Sequence, residues 1–433
     1  MDRDTAVRLA QDAIQANNRR LIDALLARRA ERERSAAAAS AAAATVAASA
    51  ATAPRPDPAS LPLIAVTCAT GWECYAIVEE LVQTRRFRVR ALYRTPGTQA
   101  AARLEALLAR TEAAAPGLLA LHPGVDMNSA EALTRAFADC AGVVLYNTAN
   151  TSRAGRVTNH GNDPAGGRAV VMRQVMAALA ALRANPCVRQ VITLIFPTDK
   201  VTGIADGAPP IPWWIDQKLR LSDFLRGQGV NVTCIHRPAY YYAMHRVDYT
   251  AQEHFRGDTR LSRTMIREGN IPGINDPDFM VNWVDVRDVG KWVGTCFEYP
   301  EVFSNETLSI ASSAVTGRQL VEIAERCNRH GTRFAYKQFP LWLMQLLARF
   351  SEEVVYPLRY AQWYHARGNG YDFAGPEGLA DLERVHPLWT FERELEFWGI
   401  NDLRPAKGPK SRGDVPGGGA SSGEPSRGEA RAP

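Results

Sequence analysis

No run of about 18 apolar residues uninterrupted by charge occurs anywhere in the 433 residues, so the sequence offers no segment for a membrane-spanning helix. Cysteine is sparse and scattered, with seven at positions 68, 74, 140, 187, 234, 296 and 327. None forms a C-x-x-C pair or joins a Cys/His cluster of ligand spacing. Neither a zinc site nor a disulfide framework is expected, and the thiols read as reduced and intracellular. A strong excess of one charge is missing too: 51 Lys+Arg against 46 Asp+Glu leaves +5, too little over this length to predict direct nucleic-acid binding. The first residues lack the apolar core and cleavage signal of a secretory leader. Asp2, Asp4, Asp12, Asp23, Glu31 and Glu33 are too many acids for a typical transit peptide. The expected location is the cytoplasm, with an organellar address as the open alternative.

What is present is a globular composition, 46% hydrophobic and 22% charged, between two unlike ends. Residues 1–34 read as an amphipathic helix, with Val7, Ile14 and Leu21 seven apart and Ala10, Ala13, Leu25 and Leu26 beside them. Arg19, Arg20, Arg28, Arg29, Arg32 and Arg34 are expected on its solvated face. Such a helix is a natural element for a protein partner or self-association. Residues 35–60 are Ala-rich with little to bury and close in PRPDP, and are expected to be a linker. Residues 403–433 are rich in Gly, Pro, Ser and charge and are expected to be a disordered tail.

Between these ends, apolar runs alternate with helical stretches. Leu63–Thr67, Val89–Tyr93, Leu118–Leu121, Val143–Tyr146, Val191–Phe196 and Val230–Ile235 predict strands. Tyr75–Val82, Ala130–Phe137, Ala169–Leu182 and Ile215–Leu225 predict helices. Near-continuous apolar strands separated by helices imply a parallel sheet covered on both faces, a doubly wound α/β fold. This core is expected over about 61–245. A smaller, more helical C-terminal lobe is expected over about 246–402, with single strands at Phe279–Val284, Thr307–Ile310 and Phe334–Lys337.

The first strand runs into TCATGWECYAIVEEL, a strand–turn–helix of the kind that presents backbone N–H groups to a pyrophosphate. Glycines in G-x-x-G-x-x-G spacing would stand at 68, 71 and 74; this chain has Cys68, Gly71 and Cys74. Either the turn still binds a nucleotide, or it is kept for the fold alone. Whether Cys68 strains the loop depends on its φ. The second strand ends in ALYRTP without an acid to hold a ribose 2′-hydroxyl. Arg94 stands where a guanidinium can hold a 2′-phosphate, with Arg90 a weaker candidate, so NADP(H) is expected in preference to NAD(H).

Together with HPGVDMNSAEALTRAFADCAGVVLYN, WWIDQKLRLSDFLRGQGVNVTCIHRPAYYYAMH, MVNWVDVRDVGKWVGTCFEYP and NETLSIASSAVTGRQLVEIA, these segments resemble the NmrA-like branch of the atypical short-chain dehydrogenase/reductases. That branch includes redox-sensing regulators and isoflavone-reductase-like enzymes. The resemblance spans most of 61–330 and implies a Rossmann-like fold. It implies that Gly71 and the Thr70–Cys74 backbone, Trp72 included, meet the pyrophosphate, that Thr67 is among the cofactor-binding residues, and that Arg94 meets the 2′-phosphate. Asp126 and Met127 would flank the adenine, and Asn147 and Thr148 would line the cofactor path. Lys218 would lie near the nicotinamide, approached by Pro238 and Tyr240.

The departures bear on function. Tyr-dependent relatives place a phenol four residues before the lysine, where this chain has Trp214. A Tyr–Lys mechanism is therefore excluded, and only a lysine-based one through Lys218 remains open, with a histidine acid as a lesser alternative. Lys218 has three open roles: proton transfer, holding ribose hydroxyls, or an exposed helix lysine. The segment TLIFPT offers Thr193 and Thr198 but no serine pair. Trp213, Trp214, Tyr240, Tyr241 and Tyr242 either floor an aromatic pocket or pack the lobe junction. His160, His236 and His245 are read first as loop or core histidines. Asp285 and Asp288 are read as structural, with Asp288 capping the following helix. The leading expectation is a dinucleotide-binding, redox- or cofactor-sensing regulator. The alternatives are an NADP-dependent reductase of a small carbonyl or enone substrate using Lys218, and a Rossmann-shaped scaffold that has lost its nucleotide.

Overall fold

The computed structural model describes residues 3–46, 58–147, 151–153, 156–158, 163–195, 213–240, 268–273, 275–350, 355, 358–359, 362 and 376–397. Thr148, His160, Thr198, Tyr241, Tyr242, His245 and the tail after 397 lie outside the described residues, as do the side chains of Trp214 and Tyr240.

The predicted apolar runs form strands. β1 (Leu63–Val66), β2 (Arg88–Leu92), β3 (Leu119–His122), β4 (Gly142–Leu145), β7 (Gln190–Ile195), β8 (Val232–His236) and β12 (Thr307–Ser309) make a seven-stranded sheet in the order β12-β8-β7-β4-β1-β2-β3. All its pairings are parallel. β1 and β4 are buried at every position, because helices cover both faces. The connections are α2 (Trp72–Thr84), α3 (Gln99–Ala114), α4 (Ala130–Phe137), α5 (Pro164–Ala184) and α6 (Trp213–Gly227), with the short hairpin β5 (Thr151–Arg153) and β6 (Arg156–Thr158) before α5. The chain winds outward in one direction through β2 and β3, then in the other from β4. The crevice at the C-terminal ends of β1 and β4 is therefore the topological switch point, where open α/β sheets bind ligands.

The seventh strand, β12, comes from inside the stretch expected to form the second lobe. α7 (Val286–Glu298) precedes it and packs along α2, where Gly290 lets the helices close: a Cβ there would stand 2.7 Å from Glu80 Cβ. The short α8 (Pro300–Phe303) then leads into β12. The rest of the C-terminal part carries the expected helices together with short strands. β9 (Ala239–Tyr240), β11 (Val281–Val284) and β13 (Ser313–Val315) form one small sheet, and β10 (Asn270–Gly273) pairs with β14 (Ala335–Gln338). Helices α9 (Gly317–Cys327), α10 (Leu341–Leu347), α11 (Pro376–Glu383) and α12 (Phe391–Phe397) complete it. Ile271, Phe279, Trp283, Leu320, Phe334 and Phe391 fill its own core.

The N-terminal helix α1 spans Arg3–Val46, so helix continues through the first part of the Ala-rich tract expected as linker. Alanine has the best helix propensity, and no Gly or Pro interrupts it. α1 is docked rather than free. Leu21, Ile22 and Leu25 are fully buried in the main core. Asn17 donates to Thr307 O, and Asn18 exchanges two hydrogen bonds with the Ser309 backbone. The basic face is partly engaged as well: Arg28 and Arg32 reach Glu301, Arg19 reaches Asp381 and Glu377, and Arg32 lies over the Tyr299 ring at 4.3 Å. The middle of the apolar stripe, Leu21, Ile22 and Leu25, is thus buried against this chain's own core.

Among the described residues no helix is long and apolar enough to cross a membrane, and no group of His, Cys, Asp and Glu can hold a metal ion.

Candidate functional site

The turn after β1 keeps the shape of a glycine turn without its first glycine. Cys68 adopts φ 53°, in the left-handed region that Gly occupies at no steric cost. The strain left open by the sequence is present, at about 1–2 kcal/mol. Gly71 serves a different need. Its φ is −66°, which any residue adopts, but a Cβ there would stand 3.1 Å from Cys68 O. Gly71 is also the N-cap of α2 and supplies no side-chain hydrogen bond, so the first-turn amides of α2 are not capped by it. A helix N-terminus whose N-cap residue has no side chain, behind a close backbone turn, suits an anion. The third glycine position, Cys74, is 1% exposed and packs into the core, where burial pushes its thiol well up.

Thr67 braces this turn. It is fully buried, its Oγ1 donates towards Val144 O and Tyr146 O (3.1 and 3.3 Å), and it accepts from Tyr146 N at 2.8 Å. Cys68 Sγ also donates to Tyr146 O, at 3.4 Å. Thr70 and Trp72 stand half-buried at the mouth of the turn. Arg94 is exposed at the end of β2, close enough for its charge to act on the Cys68 thiol. Arg90 turns its Nη1 to the backbone instead, donating to Ala136 O and Ala138 O.

Asp126 is exposed and accepts from the backbone and side chain of Asn128, while Met127 is buried in the second core cluster. Of this pair, only Asp126 offers a side chain at the surface. Asn147, just past β4, is 8% exposed, and its Nδ2 has no hydrogen-bond partner among the described residues. An orphaned buried donor is costly unless a ligand satisfies it. Pro238 is buried, and the Tyr240 backbone pairs with Val284.

Lys218, on α6, faces the same crevice. Leu145, Asn147, Val175, Thr193, Leu194, Ile195, Leu221, Ser222 and Leu225 line a cavity with it. Burial first, and the Arg237 charge second, push its ammonium down to about 8, against the opposing pull of Glu73 and the two thiols. Its Nζ rests over the Tyr146 ring, 4.2 Å from the centroid. Beneath the turn, Arg237 and Glu73 form a bidentate ion pair with both side chains buried. The Thr193 hydroxyl is tied to Ser222 Oγ at 2.9 Å and Cys234 Sγ at 3.3 Å.

Tyr146, Glu73, Arg237 and Ser222 were not singled out from the sequence. Ser222 was within reach, since it follows Lys218 by one helical turn. Trp213, His236, Asp285 and Asp288 are engaged within the fold. Trp213 is 3% exposed and fills the gap at Gly167, where a Cβ would meet its ring. His236 is buried beside Ser309 and is pushed down to about 4 by that burial. The cap of α7 is Asp285, whose carboxylate accepts from Arg287 N, and not Asp288. The Asp288 carboxylate instead accepts from Ser312, Lys291 and Trp389 N.

Residues 62–372 match the model of the NmrA-like family. No curated protein matches the chain. Among solved structures, a triphenylmethane reductase of Citrobacter sp. complexed with NADP(H) is similar at TM-score 0.53 and 15% identity, over 77% of this chain and 99% of that one. An NADPH-dependent quinone oxidoreductase of Escherichia coli, complexed with NADPH, is similar at TM-score 0.52 and 17% identity, over 77% and 99%. NmrA, a negative transcriptional regulator, in complex with NAD, is similar at TM-score 0.53 and 17% identity, over 79% and 95%. At these identities the likeness is one of fold.

Proposed function

The chain belongs to the NmrA-like family, and on that premise we propose that it holds NADP(H) at the C-terminal ends of β1 and β4 and works as a redox- or cofactor-sensing regulator. The turn around Cys68 and Gly71 and the start of α2 suit the pyrophosphate, Arg94 a 2′-phosphate, and Asn147 Nδ2 and Lys218 Nζ the acceptors of the inner half. When bound, the dinucleotide supplies a hydride donor or acceptor. The similar structures that carry NADP(H), NADPH or NAD support the reading, and the NAD complex is of a transcriptional regulator.

One observation carries sensing over turnover. The residue four before Lys218 is Trp214, which cannot exchange a proton with a substrate oxygen. A reductase remains the second reading, because a half-buried lysine brought to about 8 can give up a proton near neutral pH.

The test is a calorimetric and fluorescence titration of the full chain with NADPH, then NADH, followed by a search for NADPH oxidation with enones, quinones and aromatic carbonyls. Saturable binding that prefers NADPH, weakens about tenfold in Arg94→Ala and turns over none of these substrates is the expected result. Steady NADPH oxidation that is lost in Lys218→Ala would establish the reductase instead. No saturation by either nucleotide at millimolar concentration would overturn both readings and leave a scaffold.

A further inference from the structure

Among the described residues, Lys218 Nζ makes no ion pair and donates no hydrogen bond; its contact is the face of the Tyr146 ring. The two side chains come from different elements, Lys218 from α6 and Tyr146 from just past β4. An aromatic face attracts an ammonium but not a neutral amine, and it leaves the ammonium's N–H donors on the far side free to turn outward.

The ring is held in place by its own backbone. Tyr146 N donates to Thr67 Oγ1 at 2.8 Å, and Tyr146 O accepts from Thr67 Oγ1 at 3.3 Å and from Cys68 Sγ at 3.4 Å. One of these donors is the thiol standing where the turn would otherwise have a glycine. Glycine would relieve the left-handed strain at 68 but has no side-chain donor for Tyr146 O. The substitution that looks like decay in the turn therefore makes a contact with the residue that seats the lysine.

We propose that Tyr146 is the positioning residue for Lys218: the face of its ring seats the ammonium at the floor of the crevice, aimed at the ligand. This deepens the functional reading above and rests on it for the identity of that ligand. Tyr146 supplies from β4 an aromatic partner for the lysine that relatives take, as a phenol, from the position of Trp214. The partner's role differs accordingly, since it is the ring face and not the hydroxyl that meets Nζ. Other groups also act on the ammonium. Arg237, from beyond β8, opposes its charge, whereas Glu73 and Cys74 of α2 and Cys68 of the turn favour it. The ring adds to the favourable side without adding a competing acceptor.

The full chain contains six lysines, few enough to follow singly by NMR of a sample carrying 13C at the lysine ε-carbon, with Lys218→Arg identifying the signal. In ligand-free protein, Tyr146→Leu is expected to lower the Lys218 titration midpoint by about one pH unit, because only the charged form loses an interaction. Tyr146→Phe keeps the ring face and is expected to leave the midpoint where it is. NADPH affinity at pH 7 should fall roughly fivefold in Tyr146→Leu and less than twofold in Tyr146→Phe. Tyr146→Met serves as a second non-aromatic variant if the leucine chain does not fold, with the same outcome expected.

An unchanged midpoint in both non-aromatic variants overturns the proposal, and so does a shift in Tyr146→Phe as large as theirs, which would assign the effect to the hydroxyl. If the wild type binds no NADPH, the functional reading fails while the midpoints still decide the seat. If Lys218→Ala weakens NADPH and Tyr146→Leu does not, the reading stands and the seat is refuted.

Discussion

Arg237 and Glu73 are joined by two hydrogen bonds, Nε to Oε1 at 3.0 Å and Nη2 to Oε2 at 3.1 Å, with side chains only 3% and 2% exposed. The carboxylate comes from the first turn of α2 and the guanidinium from just beyond β8, so the pair ties the start of α2 to the far side of the switch point. A carboxylate at this helix start would repel a phosphate were it not neutralised from beneath.

Removing one partner leaves the other charge buried without its counter-ion. Glu73→Gln and Arg237→Met are each expected to cost about 3–5 kcal/mol of stability, and the double variant distinctly less than their sum. Urea unfolding of the four proteins measures this, and strict additivity would count against a direct pair.

Cys68→Ala and Cys68→Gly both lose the Sγ bond to Tyr146 O, but only the glycine relieves φ 53°. The glycine variant is expected to be the more stable of the two by about 1 kcal/mol. Thermal or urea unfolding decides it; equal stabilities would mean that the turn relaxes around residue 68.

The exposed edge of β12 is closed by α1. Asn18 Nδ2 donates to Ser309 O at 2.6 Å and Ser309 N donates to Asn18 Oδ1 at 3.0 Å, as a neighbouring strand would. Asn18→Leu leaves both Ser309 groups unpaired and is expected to cost about 2–4 kcal/mol and to speed hydrogen exchange at the Ser309 amide. Asn17→Ala, which removes a single half-buried bond to Thr307 O, is expected to cost about 1 kcal/mol or less.

His236 and His386 are held neutral by burial, their midpoints pushed from 6.5 down to about 4 and about 3. Their folded values lie below their unfolded ones, so the unfolded chain binds more protons and stability falls as pH drops below 6.5. Each histidine adds up to about 1.4 kcal/mol of loss per pH unit in that window. His386 accepts from or donates to Thr295 Oγ1 at 2.7 Å, a bond that glutamine can replace. His386→Gln is expected to flatten the fall between pH 6.5 and 4, read from urea midpoints against pH; an unchanged slope would mean that His386 titrates normally.

The alternation of apolar runs and helical stretches determined the sheet, because strands buried on both faces must be apolar throughout and that pattern is local. Ala130–Phe137 is helical over the span its spacing predicts, since Ser129 is there to cap it. The strand–turn–helix at Gly71 was legible for the same reason. The rest depended on distance along the chain. Glu73 meets Arg237 across 164 residues and Asn18 meets Ser309 across 291, and nothing in either neighbourhood announces its partner. DVRD presents two acids able to cap α7; Ser312 and Trp389, far along the chain, draw Asp288 inward and leave Asp285 to the cap. The N-terminal stripe declared that it must be buried but not against what. Local pattern determines which faces need cover, whereas only tertiary packing decides which residue supplies it, because a buried charge, an open strand edge or an ammonium takes its partner by proximity in space.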